Sequence, residues 1–315
     1  MRGPDRPAVY IMPASTSRDA LLRKQLVVFR RMLHGVEHGD VRGLHRTRVA
    51  SRRLRELLPI LQLDPDLARK LVRRLRRVTE RLGTVRELDV LLLLLDELHD
   101  SGRSAENARR HITELVTEER NRARELLLHK LPTSELKRLA IKLDEVAEML
   151  GARTGAESRH EEAASRWALD ARLAHRAARL DETMREAGAV YLADRLHAVR
   201  IAIKKLRYAV ELRDEFAGRS NDDLRTLKRA QGVLGRMHDL EILMDRARQA
   251  QAQLTPGQGA SWDEIDALIS RLEDDCRRLH ARYMRERPAL AGICAHAVAR
   301  PHAAASRRGA RQVAS

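Results

Sequence analysis

Residues 44–55 read LHRTRVASRRLR, and residues 196–207 read LHAVRIAIKKLR. Both segments follow one pattern, LHxxRxAx, then a basic pair, then Leu-Arg. Apolar residues recur three and four positions apart in each segment, which is typical of an amphipathic helix. The chain therefore carries one basic helical element twice.

A second pair of related segments follows the first pair. Residues 82–91 read LGTVRELDVL, and residues 234–243 read LGRMHDLEIL. In both pairs the second copy begins 152 residues after the first. Two separate motifs that share one spacing indicate a tandem duplication of a unit of about 150 residues.

Helical periodicity extends through nearly the whole chain. Leu, Ala, Arg and Glu dominate, whereas Pro and Gly cluster at a few breaks. The pattern predicts an all-α protein with four helices in each copy. The expected parts are a disordered tail (1–16), a first helical repeat (17–131), a connecting helix and loop (132–159), a second repeat (160–286) and a disordered basic tail (287–315).

The helix of the first motif is predicted to present a face of a single charge sign. On a wheel of about 100° per residue, its cations lie in one sector, opposite a leucine face. Like charges at this spacing cost a helix a few tenths of a kcal/mol per pair, and a bound anion is the simplest compensation. A solvated arginine-rich surface is the alternative interpretation. In the two copies the cations are His45, Arg48, Arg52, Arg55, His197, Arg200, Lys204 and Arg207.

The next helix of each copy repeats this arrangement. Arginine suits an anion site because its planar fork holds two phosphate oxygens at once. The candidate cations on these helices are Arg73, Arg76, Arg77, Arg225, Lys228 and Arg229.

His45 and His197 are the titratable members of the basic face, although packing or capping roles are open to them. Neighbouring arginines are expected to lower the histidine pKa values, because like charges disfavour protonation. A bound phosphate chain would raise those pKa values again. Binding is therefore predicted to strengthen as the pH falls through the neutral range.

Composition narrows the classes of partner. Lys and Arg number 61 against 45 Asp and Glu, and a net charge of +16 is typical of a protein with a polyanionic partner. Aromatic residues make up only 3%, which argues against stacking of bases on rings. Cys276 and Cys294 have neither a disulfide framework nor metal-site spacing, and the longest apolar run, Val90–Leu95, is far too short for a membrane span. A cytoplasmic protein with no membrane contact, cofactor or metal is expected.

The LHxxRxAxRRLR helix followed by LGxxRE, duplicated, resembles the CHAD family, the conserved-histidine α-helical domains. The resemblance covers about residues 17–286. It implies two tandem four-helix bundles related by internal pseudo-twofold symmetry, with a basic central groove or pore. Members bind inorganic polyphosphate and associate with polyphosphate granules. The resemblance thus implies polyphosphate as the partner, with polyphosphate-metabolising enzymes or granule proteins as further candidates.

The resemblance also implies which residues line the polyphosphate site. By position these are His45, Arg48, Arg52, Arg53, Arg55, His197, Arg200, Lys204, Lys205 and Arg207. His238 stands where an arginine is common in the family, which leaves the basic face intact.

Two other classes of function compete with this interpretation. Residues 34–38, HGVEH, match a zinc-protease pattern, but glycines flank the motif at a predicted helix end and the second copy lacks it. With no Gly-rich phosphate loop and no local nucleophile signature, no catalytic residue is assigned. Nucleic-acid binding is the main alternative, since phosphate contacts are largely indifferent to what the phosphates connect. An interaction scaffold is a further one.

Overall fold

A computed structural model of the chain describes residues 17–37, 40–100, 106–153, 155–217, 222–254 and 259–313. The predicted tail over residues 1–16 lies outside the described residues. Within them the chain is helical almost throughout and has no β-strand, so the prediction of an all-α protein is confirmed. The helices are α1 (Arg18–Arg31), α2 (Leu33–Glu37), α3 (Val41–Leu57), α4 (Pro65–Asp100), α5 (Glu106–Lys130), α6 (Thr133–Ala152), α7 (Gly155–Ala187), α8 (Ala193–Ala217), α9 (Asp223–Gln251) and α10 (Gly259–Val313), with a 3-10 turn at Leu58–Ile60.

The glycine-rich stretch between α2 and α3 is a close approach of two helices. Asp40 caps α3, and its carboxylate accepts a hydrogen bond of 2.7 Å from the backbone N–H of Gly43. A Cβ atom at residue 43 would lie 2.7 Å from the Cα atom of Gly35, well inside van der Waals contact. Glycine at both positions therefore lets α2 pack directly on the first turn of α3.

Two clusters of buried apolar side chains form the core of the described chain. The first cluster is built mainly by α1, α3, α6 and the N-terminal half of α4, where Phe29, Leu54 and Leu75 are fully buried. The second is built by the C-terminal half of α4 with α5 and α7–α10. Helix α4 contributes to the first cluster as far as Val85 and to the second from Leu88 onward. One long helix thus connects the two cores.

Residues 132–159 are predicted as a connecting helix and loop. In the structure the helix of this segment contributes to the first core. Helix α6 packs against α1 and buries Leu136, Leu139 and Leu143. Its apolar residues recur three and four positions apart, so one complete face of the helix is available for burial.

The prediction of a disordered tail from residue 287 is wrong for the described part of that segment. Helix α10 continues to Val313, and it buries Leu290, Ile293, Cys294 and Ala297 in the second core. These residues have the three-and-four spacing of an amphipathic helix, which the Ala-, Arg- and His-rich composition obscured. Apolar burial on this face offsets the backbone hydrogen bond that Pro288 cannot donate.

None of the helices in the described part of the chain combines the length and the apolar content that crossing a bilayer requires.

We expect Gly43→Ala to lower the free energy of unfolding by about 1–3 kcal/mol, because the added methyl group overpacks the contact between α2 and α3. Gly232→Ala is the matched control, since a Cβ atom at that exposed position of α9 meets nothing within 4 Å. The control should raise the stability by about 0.5–1 kcal/mol through helix propensity. Denaturant unfolding measures both, and equal effects would contradict the close approach.

Candidate anion-binding groove

The helices that carry the repeated motifs meet in the middle of the fold. Helix α3 contacts α8, while α4 and α9 pack beside them and contact each other. A cavity of about 490 Å³ lies between these four helices, and a neighbouring cavity of about 420 Å³ continues it along α3 and α4. Both are lined by Arg48, Arg52 and Lys204 among others, and we refer to the two cavities together as the basic groove.

Many of the cations predicted from the sequence line this groove. Residues from motifs that are far apart in the chain are brought together there by the contact of α3 with α8. The predicted residues that line the groove are His45, Arg48, Arg52, Arg55, His197, Arg200, Lys204, Lys205 and Arg207.

Arg53 is not among the lining residues. Its Nη2 atom donates a hydrogen bond of 3.0 Å to the Glu211 carboxylate of α8. Arg53 thus links the two motif helices through an ion pair beside the groove.

The cations predicted on α4 and on the first turns of α9 do not line the groove either. Arg76 pairs with Glu80 of the next turn at 2.7 Å, and Arg229 pairs with Glu286 of α10 at 2.6 Å. Arg73 lines a separate cavity of about 430 Å³ near Pro59. Like these, the remaining members lie exposed on the outer surface, namely Arg77, Arg225 and Lys228.

Two glycines of the second motif make room for two arginines of the first. A Cβ atom at Gly83 would lie 3.6 Å from Nη2 of Arg48, and one at Gly235 would lie 3.8 Å from Nε of Arg200. Each guanidinium therefore rests directly on the backbone of the neighbouring helix. The two glycines thus admit a side chain rather than a second helix backbone.

One turn beyond each glycine stands an acidic residue that interacts with the same arginine. Glu87 interacts electrostatically with Arg48, and Asp239 does so with Arg200. Each motif copy thus places an acidic residue in electrostatic contact with the arginine that rests on its glycine. Burial raises the pKa of Asp239, and the Arg200 guanidinium opposes that shift.

The groove holds guanidinium donors that have no acceptor within the described residues. The Nε atoms of Arg48, Arg55 and Arg200 are buried, and none has a hydrogen-bond partner there. Burial is also the largest cause that lowers the pKa of each of these side chains, that of Arg48 to about 10. Buried donors without acceptors are costly, so an acceptor atom supplied to these arginines would lower the free energy of the groove.

Comparison with known protein families identifies the fold. The sequence model of the CHAD domain matches residues 20–248, well over half of the chain. The chain belongs to the CHAD family. No curated protein sequence matches it.

Two solved structures share the fold of this CHAD protein. PptA from Streptomyces chartreusis superposes with a TM-score of 0.64 at 20% identity, covering 87% of this chain and 100% of that one. The CHAD domain from the plant Ricinus communis superposes with a TM-score of 0.52 at 24% identity, covering 94% of this chain and 97% of that one. At these identities the likeness shows a common fold.

Of the two lysines among the described residues that line the basic groove, Lys204 has the more strongly lowered pKa. Burial, and after it the adjacent Arg52, Arg200 and Arg48, lower the pKa of Lys204 to about 7. With this pKa the side chain is partly a neutral amine at neutral pH, and an anion placed beside it would favour the ammonium form.

The two motif histidines differ in their surroundings. Burial is the largest cause that lowers the pKa of both, that of His197 to about 4. Arg86 also lowers the pKa of His45. The Nδ1 atom of His197 lies 3.1 Å from Nδ1 of His238, whose charge lowers the pKa of His197. The predicted direction of the shift is confirmed, with desolvation as a larger cause than the neighbouring charges.

Several lining residues were not assigned to the site from the sequence. Arg86 and His238 occupy matching positions of the second motif, so the duplication itself carried a signal for them. Tyr208 and Gln231 are uncharged and offered no such signal. Among the described residues no group of three His, Cys, Asp or Glu side chains is arranged to hold a metal ion. The HGVEH match at residues 34–38 extends to His38, which lies outside the described residues.

We expect one lysine of the folded protein to titrate with a midpoint near pH 7, because Lys204 is desolvated among arginines. The Cε chemical shifts of 13C-labelled lysine follow this titration. The resonance should disappear in Lys204→Arg, whereas Lys142→Arg, an exposed lysine paired with Glu145, should leave it in place. A spectrum in which every lysine titrates above about pH 9 would contradict the desolvation of Lys204.

Proposed function

We propose that this protein binds inorganic polyphosphate in the basic groove, without catalysing a reaction on it. The observation that carries the proposal is the set of buried guanidinium Nε atoms of Arg48, Arg55 and Arg200 that lack an acceptor within the described residues. Phosphate oxygens are acceptors that match the planar fork of arginine, and their charge offsets the like-charge repulsion in the groove.

The chemistry of the groove favours polyphosphate over nucleic acid. Polyphosphate is a narrow chain with about one charge per phosphate and no bases, which suits a cleft enclosed by helices. Single-stranded nucleic acid is usually bound with base stacking on aromatic rings, and Tyr208 is the one aromatic residue among the described residues that line the groove. The resemblance to CHAD domains implies the same ligand.

The lining residues favour binding over catalysis. Cationic side chains follow the groove along its length, and no serine or cysteine is among the described residues that line it. Its carboxylates serve as structural counter-charges. Glu87 and Asp239 interact with the arginines beside them, while Glu80 pairs with Arg76 and Glu56 with Arg172.

We further infer that the two motif copies belong to two helical bundles related by an approximate twofold axis through the groove. The common offset of 152 residues between the motifs supports this relation. So does the repetition of one local arrangement, arginine on glycine with an acidic residue one turn on, in α3–α4 and in α8–α9.

Binding of a long polymer by many copies of the protein leads to attachment to polyphosphate granules in the cytoplasm. Cosedimentation with isolated granules tests this step. Attachment by this route requires an intact groove. A groove variant that still sediments with granules would therefore point to attachment through another partner.

We expect the variant Arg48→Gln, Arg52→Gln, Arg200→Gln, Lys204→Gln to bind polyphosphate at least about a hundredfold more weakly, since each lost contact is a charge-assisted hydrogen bond. The matched control replaces Arg73, Arg77, Arg225 and Lys228 by glutamine, which removes the same number of cations outside the groove. Its affinity should stay within about threefold of the parent. Titration at about 0.15 M salt against polyphosphate and single-stranded DNA, matched in phosphate, measures both.

The same titration separates the competing functions. Equal losses in the two variants would show that binding follows net charge rather than the groove. Equal affinities of the parent for polyphosphate and DNA would favour general nucleic-acid binding instead.

We expect the affinity for polyphosphate to fall as the pH rises from about 7 to about 9. The Lys204 pKa is about 7 in the free protein and rises when an anion binds, so binding takes up a proton above the free pKa. His197, whose pKa is about 4, adds to the affinity only toward acidic pH. Lys204→Arg should flatten the alkaline part of the profile, and a parent profile that is flat across this range would exclude Lys204 from binding.

A further inference from the structure

An acidic residue that lines the basic groove, Glu56, also contacts two arginines of α7. Glu56 of α3 lines the cavity of about 420 Å³, and its carboxylate accepts a hydrogen bond of 2.8 Å from Nε of Arg172. It also accepts one of 3.3 Å from Nη2 of Arg176. The three side chains are largely buried, with exposed fractions of 12% for Glu56, 24% for Arg172 and 18% for Arg176.

The cations around Glu56 outnumber its carboxylate. Lys205 of α8 lies near Glu56, and its pKa is lowered by burial first and then by Arg176 and Arg55. The Nε atoms of both Arg55 and Arg176 are buried without a hydrogen-bond partner in the described chain. Glu56 therefore neutralises only part of the positive charge around it, and spare donors remain.

The corresponding residues of the second copy are arranged differently. Tyr208 lies 152 residues after Glu56 and replaces its carboxylate with a phenol. The adjacent Arg207 donates a hydrogen bond of 2.8 Å to Gln231 and another to Glu211. Its guanidinium carbon also lies 4.4 Å from the centre of the Tyr208 ring. Arg207, which lines the cavity of about 490 Å³, already has partners, so the two cavities of the groove differ in their capacity for another anion.

We propose that Arg172 and Arg176 form an outer phosphate-binding site at the mouth of the groove, and that Glu56 is an internal counter-ion which an incoming phosphate displaces from them. This proposal rests on the proposed polyphosphate function. Its ligand is a phosphate chain long enough to leave the groove past Arg55 and Lys205 and to continue onto α7.

The exchange of anions follows from their chemistry. The two arginines and the carboxylate are already held together in the free protein, so the guanidinium groups need no further ordering to accept phosphate oxygens. A phosphate that enters must compete with the negative charge of Glu56, which lies on the same donors and repels it. Glu56 thus stabilises the arginine cluster before binding and lowers its affinity for the polymer.

The test compares long-chain polyphosphate with tripolyphosphate, which is too short to extend beyond the groove. Glu56→Gln removes the charge while keeping the shape, and it should raise the affinity for the long chain by about tenfold. Adding Arg172→Gln and Arg176→Gln to Glu56→Gln should reverse the gain and bring the affinity below that of the parent. The slope of log K against log salt should fall by roughly 0.7 for each phosphate contact that is lost. Tripolyphosphate meets the charge of Glu56 in the groove but does not reach Arg172 and Arg176. Its affinity should therefore rise in Glu56→Gln, and it should be the same within about twofold in the triple variant as in Glu56→Gln.

The control replaces Arg159 and Arg185, exposed arginines of the same helix that do not line the groove, by glutamine. It should bind long-chain polyphosphate like the parent. Far-UV circular dichroism establishes that each variant is folded. Neutralising Glu56 with both arginines avoids leaving a charged group unpaired.

Several outcomes would overturn the proposal. If Glu56→Gln weakens binding of the long chain, Glu56 serves only to position the arginines and is not a competing counter-ion. If the triple variant and the control bind alike while the groove variant loses binding, the outer site is wrong and the groove function stands. A parent that does not bind long-chain polyphosphate would remove the proposed function and the outer site together.

Discussion

The mutual repulsion of buried cations is the constraint on which this structure depends. Where α3 meets α8, Arg48, Arg52, Arg200 and Lys204 surround one cavity, and their side chains are partly withdrawn from water. Taking like charges out of water and placing them together costs free energy twice, through desolvation and through Coulomb repulsion. The opposite faces of the same helices supply the compensation, because they bury leucines in the two cores. The apolar cores thus hold in place a charge arrangement that would otherwise drive the helices apart.

The protein limits this cost without cancelling it. Glu87 and Asp239 face the two arginines that lie on glycines, and they provide one counter-charge in each motif copy. Lys204 responds in another way, since a pKa of about 7 lets it exist partly as a neutral amine in the absence of an anion. What remains is a surplus of buried donors without acceptors. A site held ready in this manner trades stability of the free protein for affinity, as is common where function requires an unfavourable local arrangement.

The two motif copies form similar walls in the groove, but the residues at the end of each motif have different partners. In both copies an arginine rests on a glycine of the neighbouring helix, so the geometry of the centre is repeated. The residues at the end of each motif have different partners: α7 brings Arg172 and Arg176 to Glu56, whereas Glu211 of α8 itself pairs with Arg207. Residues of the same motif position therefore acquire different charge environments.

The sequence by itself determined the helical class, the duplication and most of the cations in the centre of the groove. These properties are local, because the 3.6-residue period and the repeated motif can be read within one segment. His45, Arg48, Arg200 and Lys204 were found in this way. Sequence composition misled at the C-terminal segment, where apolar spacing in α10 outweighs Pro288 and a polar composition.

Only the tertiary structure decided which basic faces meet. A helical wheel gives the direction of a side chain relative to its own helix, but it does not say which neighbour lies there. Arg73 and Arg77 therefore looked equivalent to Arg48, yet they lie outside the groove on the surface of α4. Arg172 and Arg176 lie outside the repeated motifs. They come close to Glu56 only because α7 packs beside α8. The lowered pKa of Lys204 has the same origin, since its burial and its arginine neighbours depend on contacts between segments distant in the chain.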